Sequence, residues 1–506
     1  MGTRLALPDI GWQLSRRPSA RRAARDGHGP VKSATVQQRS ASPGSAGVAC
    51  MSDHDLPLDR RDLARRFDAV RRHTLTLAEP LSAEDQAAQS MPDASPAKWH
   101  QAHTSWFFEA LLLRPFLAGY RPLDESYHVL FNSYYEGLGP RHPRPRRGLL
   151  TRPSLDEVRA YRRHVDEQVH ALIARASEAQ WASIAPTLEL GLNHEQQHQE
   201  LLLTDALHLL SCHPWRPAMR AGEPPRFAES RAEWIPHAGG LVDIGHDAEG
   251  RDRGTGTGPG SSSGSASAGS PGPVPGAGFA FDNEGPRHRT WLEPFEIASR
   301  LVTCGDFLRF IDAGGYREPR WWLSDGWATV QAQDWRAPPY WIAPEDGADP
   351  GDAENAENAQ GARGPTGWSV FGLHGVQALD PGAPVMQLSF YEAAAYAEWA
   401  DARLPSEHEW EAAAALPGMA QLDDQVWQWT RSAYHPYPGF RPLEGAASEY
   451  NGKFMVGQLV LRGGSLATPP GHTRPTYRNF FPPAARWQFS GLRLARDARP
   501  RAETHA

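Results

Sequence analysis

Residues 188–210 read LELGLNHEQQHQELLLTDALHLL, and their pattern predicts a buried helix. Apolar residues recur at three- and four-residue intervals, which places them on one face of an α-helix. In the middle, His194, Glu195 and His198 form the sequence H-E-x-x-H. Residues four apart lie on the same side of a helix, so the two imidazoles can bind one metal ion together. The helix is therefore expected to supply two ligands of a metal site.

Three earlier segments, 63–78, 99–117 and 155–176, show the same helical spacing of apolar residues. Four amphipathic segments of this length are typical of a four-helix bundle. Ser154, with acidic residues in the turn that follows it, predicts the start of the third helix. The connection 119–152 is long for a bundle and rich in Tyr, Pro and Arg, and loops of that length are more often functional than idle.

A third metal ligand must come from a neighbouring helix, and WHQAHTSWFFE at 99–109 offers His100 and His103. Three neutral imidazoles suit Fe(II), Zn, Cu or Ni, so the residues alone leave the metal open. H-E-x-x-H is also a zinc-peptidase signature, with Glu195 as the general base. The extended form of that motif, with a third histidine downstream, is absent, so a peptidase is the weaker interpretation. Ordinary core histidines are a further alternative, which the upstream histidine-bearing helix weakens.

Composition excludes several classes of function. Fifty-two basic and 59 acidic residues give a formal charge of -7, which provides no overall attraction for nucleic acid or an anionic membrane. No run of about 18 uncharged apolar residues predicts a membrane span. Three scattered cysteines argue against a disulfide framework and favour the reducing cytoplasm.

Residues 1–50 are rich in Arg, Ala, Ser and Gly and nearly lack acidic residues, so we expect a disordered leader. An organelle transit peptide is one interpretation of such a leader. The other is that translation starts at Met51 and that the upstream stretch is dispensable. The bundle is then expected to occupy 51–220.

A second domain is expected at 221–498, before a short tail at 499–506. It is dense in Gly, Trp, Pro and short apolar runs, which suits irregular loops on modest sheets. Residues 254–278 form a Gly/Ser-rich insert between two strand-like stretches, and the acidic stretch 345–366 is expected to be a further loop.

The succession of motifs resembles one enzyme family. WHQAHTSWFFE and NHEQQHQELLLTD are followed by ARLPSEHEWEAAA and by LVLRGGSLATPPGHTRPTYRNFFPPAARWQFSGLRLARD. This order is similar to that of the ergothioneine-biosynthesis sulfoxide synthases, over about residues 58–496. The resemblance implies a multidomain α plus α+β fold. A DinB-like four-helix bundle would be followed by an irregular domain like those of formylglycine-generating enzymes and C-type lectins.

By this resemblance, His103, His194 and His198 hold a mononuclear non-haem Fe(II), and His100 is not a ligand. The implied reaction joins the imidazole C2 of hercynine to the sulfur of cysteine or γ-glutamylcysteine, with O2 as co-substrate and a sulfoxide as product. Gln197 shares the helix face of His194 and would hydrogen-bond near the hercynine imidazole. The oligomeric state is not implied.

The long loop adds candidates. Tyr134 and Tyr135 resemble active-site tyrosines of one branch of the family, where a phenol can supply a proton or an electron. The alternative is that they only anchor the loop. Three arginines are candidates for binding a substrate carboxylate, or else form a solvated turn: Arg144, Arg146 and Arg147.

In the second domain, a quaternary ammonium prefers aromatic faces, which makes four residues of TYRNFF candidates for binding hercynine: Tyr477, Asn479, Phe480 and Phe481. The two phenylalanines are equally well explained as core. SEHEWEAA is interpreted as a structural helix. Cys304 lacks the paired cysteine of the formylglycine-generating enzymes, so that activity is not expected.

Two positions depart from the pattern of the sulfur enzymes: Leu466, where Cys is common, and Gln387, where His is common. A related selenoneine synthase couples hercynine to a selenosugar, and these changes are compatible with that donor or with neutral drift. A lectin-like binding module on a structural bundle is the non-enzymatic alternative. It predicts no clustered histidine site.

Overall fold

The computed structural model describes four stretches of the chain: residues 59–228, 230–247, 278–344 and 366–498. Four segments predicted above lie outside these stretches, wholly or but for one terminal residue: the leader 1–50, the insert 254–278, the loop 345–366 and the tail 499–506.

The first half of the described chain forms the predicted bundle of long helices. They are α1 (Arg60–Ala78), α2 (Ala97–Phe108), α3 (Leu155–Arg175) and α4 (Glu178–Ser211). Ser154 caps α3 as predicted, because its hydroxyl accepts from the Glu157 amide at 3.3 Å and the Glu157 carboxylate accepts from the Ser154 amide at 2.7 Å. Helix α2 is prolonged by a wider turn over Glu109–Leu113.

Helix α4 begins ten residues before the predicted start at residue 188. Ser177 forms a capping box with Gln180, and the helix continues through Pro186 despite the hydrogen bond that proline cannot donate. The helix runs over 34 residues and packs against α1 and α2. Its length carries it past the bundle to the second half of the chain.

Helices α2 and α4 approach each other closely at Gly191. A Cβ atom at this position would lie 2.3 Å from Cε1 of Phe108, which is fully buried in α2. Glycine permits this approach, and no larger side chain fits without movement. The contact lies one helical turn before His194, so it sets the distance between the histidines of the two helices.

The second half combines short strands with short helices, as predicted. The described strands are β1 (Trp234–His237), β2 (Gly240–Ile244), β3 (His288–Leu292), β4 (Phe295–Ala298), β5 (Trp341–Ile342), β6 (Ser369–Gly372), β7 (Gly375–Ala378), β8 (Trp427–Ala433), β9 (Leu459–Gly463), β10 (Asn479–Phe481), β11 (Ser490–Gly491) and β12 (Ala495–Asp497). The longer helices are α5 (Cys304–Asp312), α6 (Ser324–Gln333), α7 (Phe390–Trp399) and α8 (Glu407–Ala413).

These strands form small, mostly antiparallel sheets. Their orders are β1-β4-β12, β10-β9-β8-β11, β2-β3 and β5-β6-β7. The strand-like stretches on either side of the Gly/Ser insert pair with each other as β2 and β3, so the insert joins two partners of one hairpin. The four-stranded sheet carries β10, where three of the predicted substrate-binding residues lie.

One apolar core joins the two halves. Along the C-terminal part of α4, buried leucines pack with Met219, which follows the helix, and with Tyr340, Phe371 and Leu373 of the second half. The second half therefore rests directly on the helix that carries H-E-x-x-H.

In the described part of the chain, no helix is both long and apolar enough to cross a membrane.

Candidate metal centre

Three histidines converge between α2 and α4. His103 comes from α2, and His194 and His198 come from consecutive turns of α4. One nitrogen from each lies within 4.8 Å of the others, and the ring centroids are 4.6, 4.7 and 5.0 Å apart. One cation can bind to all three after small rotations of the rings.

The three imidazoles are buried and neutral. His103 is 0%, His194 2% and His198 9% exposed. Burial lowers the pKa of each ring, for His194 to about 3. A neutral imidazole is the form that binds a metal, so the histidines are in the ligand state at neutral pH.

Two of the three histidines have ring nitrogens without a protein partner. Nε2 of His103 and both ring nitrogens of His194 are buried without a hydrogen-bond partner in the described part of the chain. Such a polar atom costs about 1–3 kcal/mol when it is left unsatisfied. A bound metal ion would satisfy the lone pair of His103 Nε2 and the single lone pair of the neutral His194 ring, so the residues fit the metal that the resemblance implies.

Neighbouring groups orient two of the rings. Nδ1 of His103 donates to the Phe131 carbonyl at 2.7 Å, which leaves Nε2 as the free acceptor atom. Trp99 stacks on His103 with centroids 4.6 Å apart. His194 stacks on Phe107 at 4.2 Å, so packing rather than hydrogen bonding fixes its plane.

Glu195 of the H-E-x-x-H sequence is occupied elsewhere. Its oxygens accept from Arg162 at 2.7 Å, Arg71 at 2.9 Å and Thr74 at 2.6 Å, and the residue is fully buried. Burial alone would raise its pKa, but the Arg162 and Arg71 guanidiniums lower the pKa to about 2. A carboxylate held in this way cannot serve as the base of a peptidase.

Gln197 connects the centre to the second half of the chain. Its amide donates to the Tyr477 hydroxyl at 2.7 Å and accepts from the Tyr450 hydroxyl at 2.5 Å. The Tyr450 ring lies 5.8 Å from that of His194. The sequence prediction missed Tyr450, which lies in an irregular loop where neither helical nor strand spacing singles it out.

Tyr134 and Tyr135 stack on each other with centroids 4.6 Å apart. Tyr135 is fully buried, and its ring lies 5.5 Å from Trp106 and 6.2 Å from Phe107. Those two rings stack in turn on His103 and His194. Burial raises the pKa of both phenols, which are therefore protonated at neutral pH.

The three candidate arginines are separated by the fold. Arg144 and Arg146 are exposed, and Arg144 donates to the Asp93 carbonyl. Arg147 is buried, with its guanidinium carbon 3.3 Å from the centroid of Trp99 and a hydrogen bond of 2.9 Å to the Ser95 hydroxyl. Arg147 alone of the three is thus placed against a ring that packs on a metal ligand.

The four candidates of TYRNFF have different surroundings. Tyr477 is buried and contacts Gln197. Phe480 stacks on Tyr434 at 4.1 Å, and Phe481 packs against Trp487 at 6.1 Å. The Asn479 side chain accepts from the next amide of its own strand at 2.8 Å. The structure brings Tyr477 to Gln197, beside the centre, and the substrate-binding roles of all four stay predictions.

The departing positions and the cysteine also have defined places. Leu466 is 37% exposed, and Gln387 is buried with a left-handed φ of 58°. Cys304 is buried at the start of α5, and burial raises the pKa of its thiol. Cys212, the other described cysteine, is exposed, so the described residues contain no cysteine pair.

Bundle and second half together define a fusion of two known folds. Residues 66–202 match the DinB superfamily, and residues 262–422 and 415–498 match the sulfatase-modifying factor enzyme 1-like domain. The predicted fold class, a DinB-like bundle followed by a formylglycine-generating-enzyme-like domain, is confirmed.

Within this class, the chain is 30% identical to the hercynine oxygenase of Mycolicibacterium thermoresistibile over 491 residues, which cover 87% of this chain and 95% of that protein. It is 33% identical to the hercynine oxygenase of Mycolicibacterium smegmatis over 43% of this chain and 56% of that protein. A formylglycine-generating enzyme of Thermomonospora curvata is 31% identical over 30% of this chain and 46% of that protein. The chain belongs to the hercynine oxygenase family, whose members are oxidoreductases.

Proposed function

We propose that this protein uses O2 and a ferrous ion bound by His103, His194 and His198 to join hercynine to a thiol. The bond would form between the imidazole C2 and the sulfur of cysteine or γ-glutamylcysteine, in a cytoplasmic enzyme of ergothioneine biosynthesis. The observation that carries the proposal is the convergence of three buried, neutral imidazoles, two of which, His103 and His194, have ring nitrogens without a hydrogen-bond partner. Family membership supports the choice of reaction. A domain boundary near residue 220 is part of the proposal.

The proposed reaction balances without a further reductant. One C–H bond and one S–H bond break, and a C–S bond forms. One oxygen atom of O2 becomes the sulfoxide oxygen, and the other leaves as water with the two hydrogens. Of the four electrons that reduce O2, two come from the C–H and S–H bonds that are replaced by the C–S bond, and two come from oxidation of the sulfur to the sulfoxide.

Each part of the chain has a task in this proposal. The iron would supply the place where O2 accepts electrons. Gln197, fixed between Tyr450 and Tyr477, would orient the hercynine imidazole, and the Tyr477 ring would face the quaternary ammonium. Burial excludes water from the ligand rings.

The tyrosine pair and Arg147 complete the proposed site. Tyr134 and Tyr135 hold their protons at neutral pH, so either phenol is able to donate one during coupling. Arg147, with a buried guanidinium, would bind a substrate carboxylate. The exposed Arg144 and Arg146 are weaker candidates for this contact.

A selenosugar is the second candidate donor. It is favoured by Leu466, which replaces the thiol common at this position with a partly exposed apolar side chain. With a selenosugar in place of the thiol, the proposed metal ligands and hercynine-binding residues would stay the same.

The test is anaerobic loading with Fe(II), followed by O2 uptake with hercynine and either cysteine, γ-glutamylcysteine or a selenosugar. A sulfoxide formed with a thiol supports the proposal, and product with the selenosugar alone moves the assignment to selenoneine synthesis. His103→Ala, His194→Ala and His198→Ala should each abolish turnover, while His208→Ala, further along α4, should retain it. Turnover near the wild-type rate in any of the three ligand variants would overturn the ligand assignment.

A further inference from the structure

His100 is buried beside the three histidines and belongs to a hydrogen-bonded chain that ends on one of them. Its Nδ1 lies 2.8 Å from Nδ1 of His198, and its Nε2 lies 3.1 Å from Oδ2 of Asp205. His100 is 2% exposed and Asp205 6%. Asp205 follows His198 by seven residues, which is two turns of α4 and the same face.

The order of donors and acceptors along this chain follows from its carboxylate end. An ionised carboxylate only accepts, so Nε2 of His100 must carry the hydrogen that Asp205 receives. Nδ1 of His100 is then a lone pair, and it accepts from Nδ1–H of His198. The remaining nitrogen of His198, Nε2, keeps a free lone pair. The chain therefore selects the tautomer of His198 that can bind a metal through Nε2.

Asp205 is held in place for this contact. Its Oδ2 also accepts from the Ser95 amide at 2.7 Å, and Ser95 lies just before α2. The hydroxyl of the same serine accepts from Arg147 at 2.9 Å. The carboxylate is thus fixed from both helices that supply the metal ligands.

The hydrogen-bonded chain of His198, His100 and Asp205 also has an electrostatic effect on the metal ligands. The ligand set has three neutral imidazoles, and the nearby Glu195 is already neutralised by two guanidiniums. Among the described residues, Asp205 is the carboxylate that reaches a ligand histidine through hydrogen bonds. Its negative charge makes His198 a stronger electron donor to a cation.

We propose that His100 and Asp205 are positioning residues that orient His198 and strengthen its binding of the metal ion. The inference rests on the proposed function, because it assumes that His103, His194 and His198 hold a metal. Folding stability alone does not explain this hydrogen-bonded chain, since buried polar groups of this kind can often be replaced by apolar residues without loss of stability. Outer partners of ligand histidines typically contribute 10–100-fold in metal affinity.

The experiment measures Co(II) binding to the full-length chain at one fixed pH, from the visible absorption of the bound ion and competition with a chelator. His100→Phe keeps the ring but removes both contacts, and Asp205→Asn keeps the shape but removes the charge. Each should weaken Co(II) binding by about 10–100-fold. His100→Asn places an amide oxygen where Nδ1 was, so it should recover part of the affinity lost in His100→Phe.

The matched control is His208→Phe, because His208 lies on the same helix and bonds Ser90 at 2.7 Å. It should bind Co(II) like the wild type. Thermal unfolding of the metal-free variants shows whether each one is folded, and His100→Asn and Asp205→Asn keep the test open if His100→Phe does not fold.

The outcomes separate the two proposals. If the wild type binds Co(II) and the His100 and Asp205 variants bind it within threefold of the wild type, the positioning role is overturned and the metal centre stands. A wild type that fails to bind Co(II) overturns the metal centre and the positioning role together. Equal affinities of His100→Phe and His100→Asn, both far below wild type, would contradict the tautomer argument.

Discussion

Glu407 in SEHEWEAA has the position of a possible catalytic acid, but both of its carboxylate oxygens are hydrogen-bonded to neighbouring side chains. Its oxygens accept from Arg478 at 2.7 and 3.0 Å and from the Tyr437 hydroxyl at 2.9 Å. Burial alone would raise its pKa, but Arg478 and Arg462 lower the pKa below its usual value of 4.5. The interpretation of SEHEWEAA as a structural helix agrees with these contacts.

We expect Glu407→Gln to destabilise the protein by about 3–5 kcal/mol at pH 7, because it leaves a buried guanidinium without its counter-charge. The folded-state pKa of Glu407 is depressed, so its contribution is complete above about pH 4.5 and is lost as the pH falls below that value. The difference between variant and wild type should therefore shrink at pH 4 and below. Urea unfolding at pH 7 and pH 4 measures it, with the exposed Glu444→Gln as a neutral control.

The tyrosine pair makes a second prediction. If a phenol donates a proton during coupling, Tyr134→Phe or Tyr135→Phe should lower the coupling rate by about 10²-fold or more and divert O2 into oxidised thiol. Product ratios determined by mass spectrometry at matched O2 uptake check this, with the buried Tyr396→Phe as control. Wild-type ratios in both variants would leave the pair with only an anchoring role.

Two of the three candidate metal ligands were accessible from helical spacing, because that spacing is local, whereas the choice of His103 over His100 rested on the family resemblance. His194 and His198 share a face by their separation alone, and Asp205 lies on that face two turns later. Tyr450 was not accessible, because it reaches Gln197 through a fold of more than 250 intervening residues. Nor does spacing show that Glu195 turns toward Arg71 and Arg162, which lie on other helices.

At the scale of elements, the pairing of α2 and α4 depends on one missing methyl group. We expect Gly191→Ala to cost about 1–3 kcal/mol, because the new Cβ meets the Phe108 ring and the helices must separate. The separation also moves His103 away from His194, so Co(II) affinity should fall.

Adding Phe108→Leu to Gly191→Ala should restore part of that affinity by making room for the methyl group. Gly372→Ala is the control, because an added Cβ there meets nothing within 4 Å. Unchanged unfolding and metal binding in Gly191→Ala would show that the close approach has no role in spacing the ligands.

The long helices of the bundle were largely predictable, but not all of their ends were. Apolar spacing identified α1 and α3 to within three residues at either end, since their buried faces run to the termini. For the segment predicted at 99–117, helix α2 itself ends at Phe108, and further helical turns continue to Phe116. Helix α4 was predicted too short, because its first ten residues depend on the Ser177 cap and on tertiary packing that offsets Pro186. The wider turn at Glu109–Leu113 has no local signature either.

At the scale of the molecule, Glu200 links the metal-bearing helix to the second half. Its carboxylate accepts from the Trp427 indole at 2.6 Å and from the Ser465 and Thr468 hydroxyls, each at 2.7 Å. Trp427 packs in turn against Tyr477 at 5.2 Å. The position of Tyr477 over the proposed substrate site thus depends on this buried carboxylate.

We expect Glu200→Ala to raise the KM for hercynine by about tenfold, equivalent to 1.4 kcal/mol, because it leaves three buried donors unpaired and frees Trp427. Co(II) affinity should be nearly unchanged, since the carboxylate contacts the second half and not the ligand rings. Glu200→Gln retains one acceptor oxygen and should lie much closer to the wild type. Parallel losses of metal and hercynine binding in Glu200→Ala would contradict this separation.

The order of the two folds along the chain was predictable from their motifs, but the contacts between the two halves were not. Contacts such as those of Glu200 with Trp427, Ser465 and Thr468 join residues that are more than 220 positions apart. No local periodicity encodes such pairings. They follow from tertiary packing, which brings Trp427 of β8 and the residues after β9 against α4.

The leucines on the far end of α4 bear on any attempt to transplant the bundle. Leu202, Leu203 and Leu207 are buried in a cluster with residues of the second half. An excised bundle would present this stripe to water and is expected to self-associate. To use the histidine centre in a minimal scaffold, these leucines must first be replaced by Lys and Glu. The excised bundle would also lose the Tyr450 and Tyr477 hydroxyls that hold Gln197 beside the histidines, because both tyrosines belong to the second half.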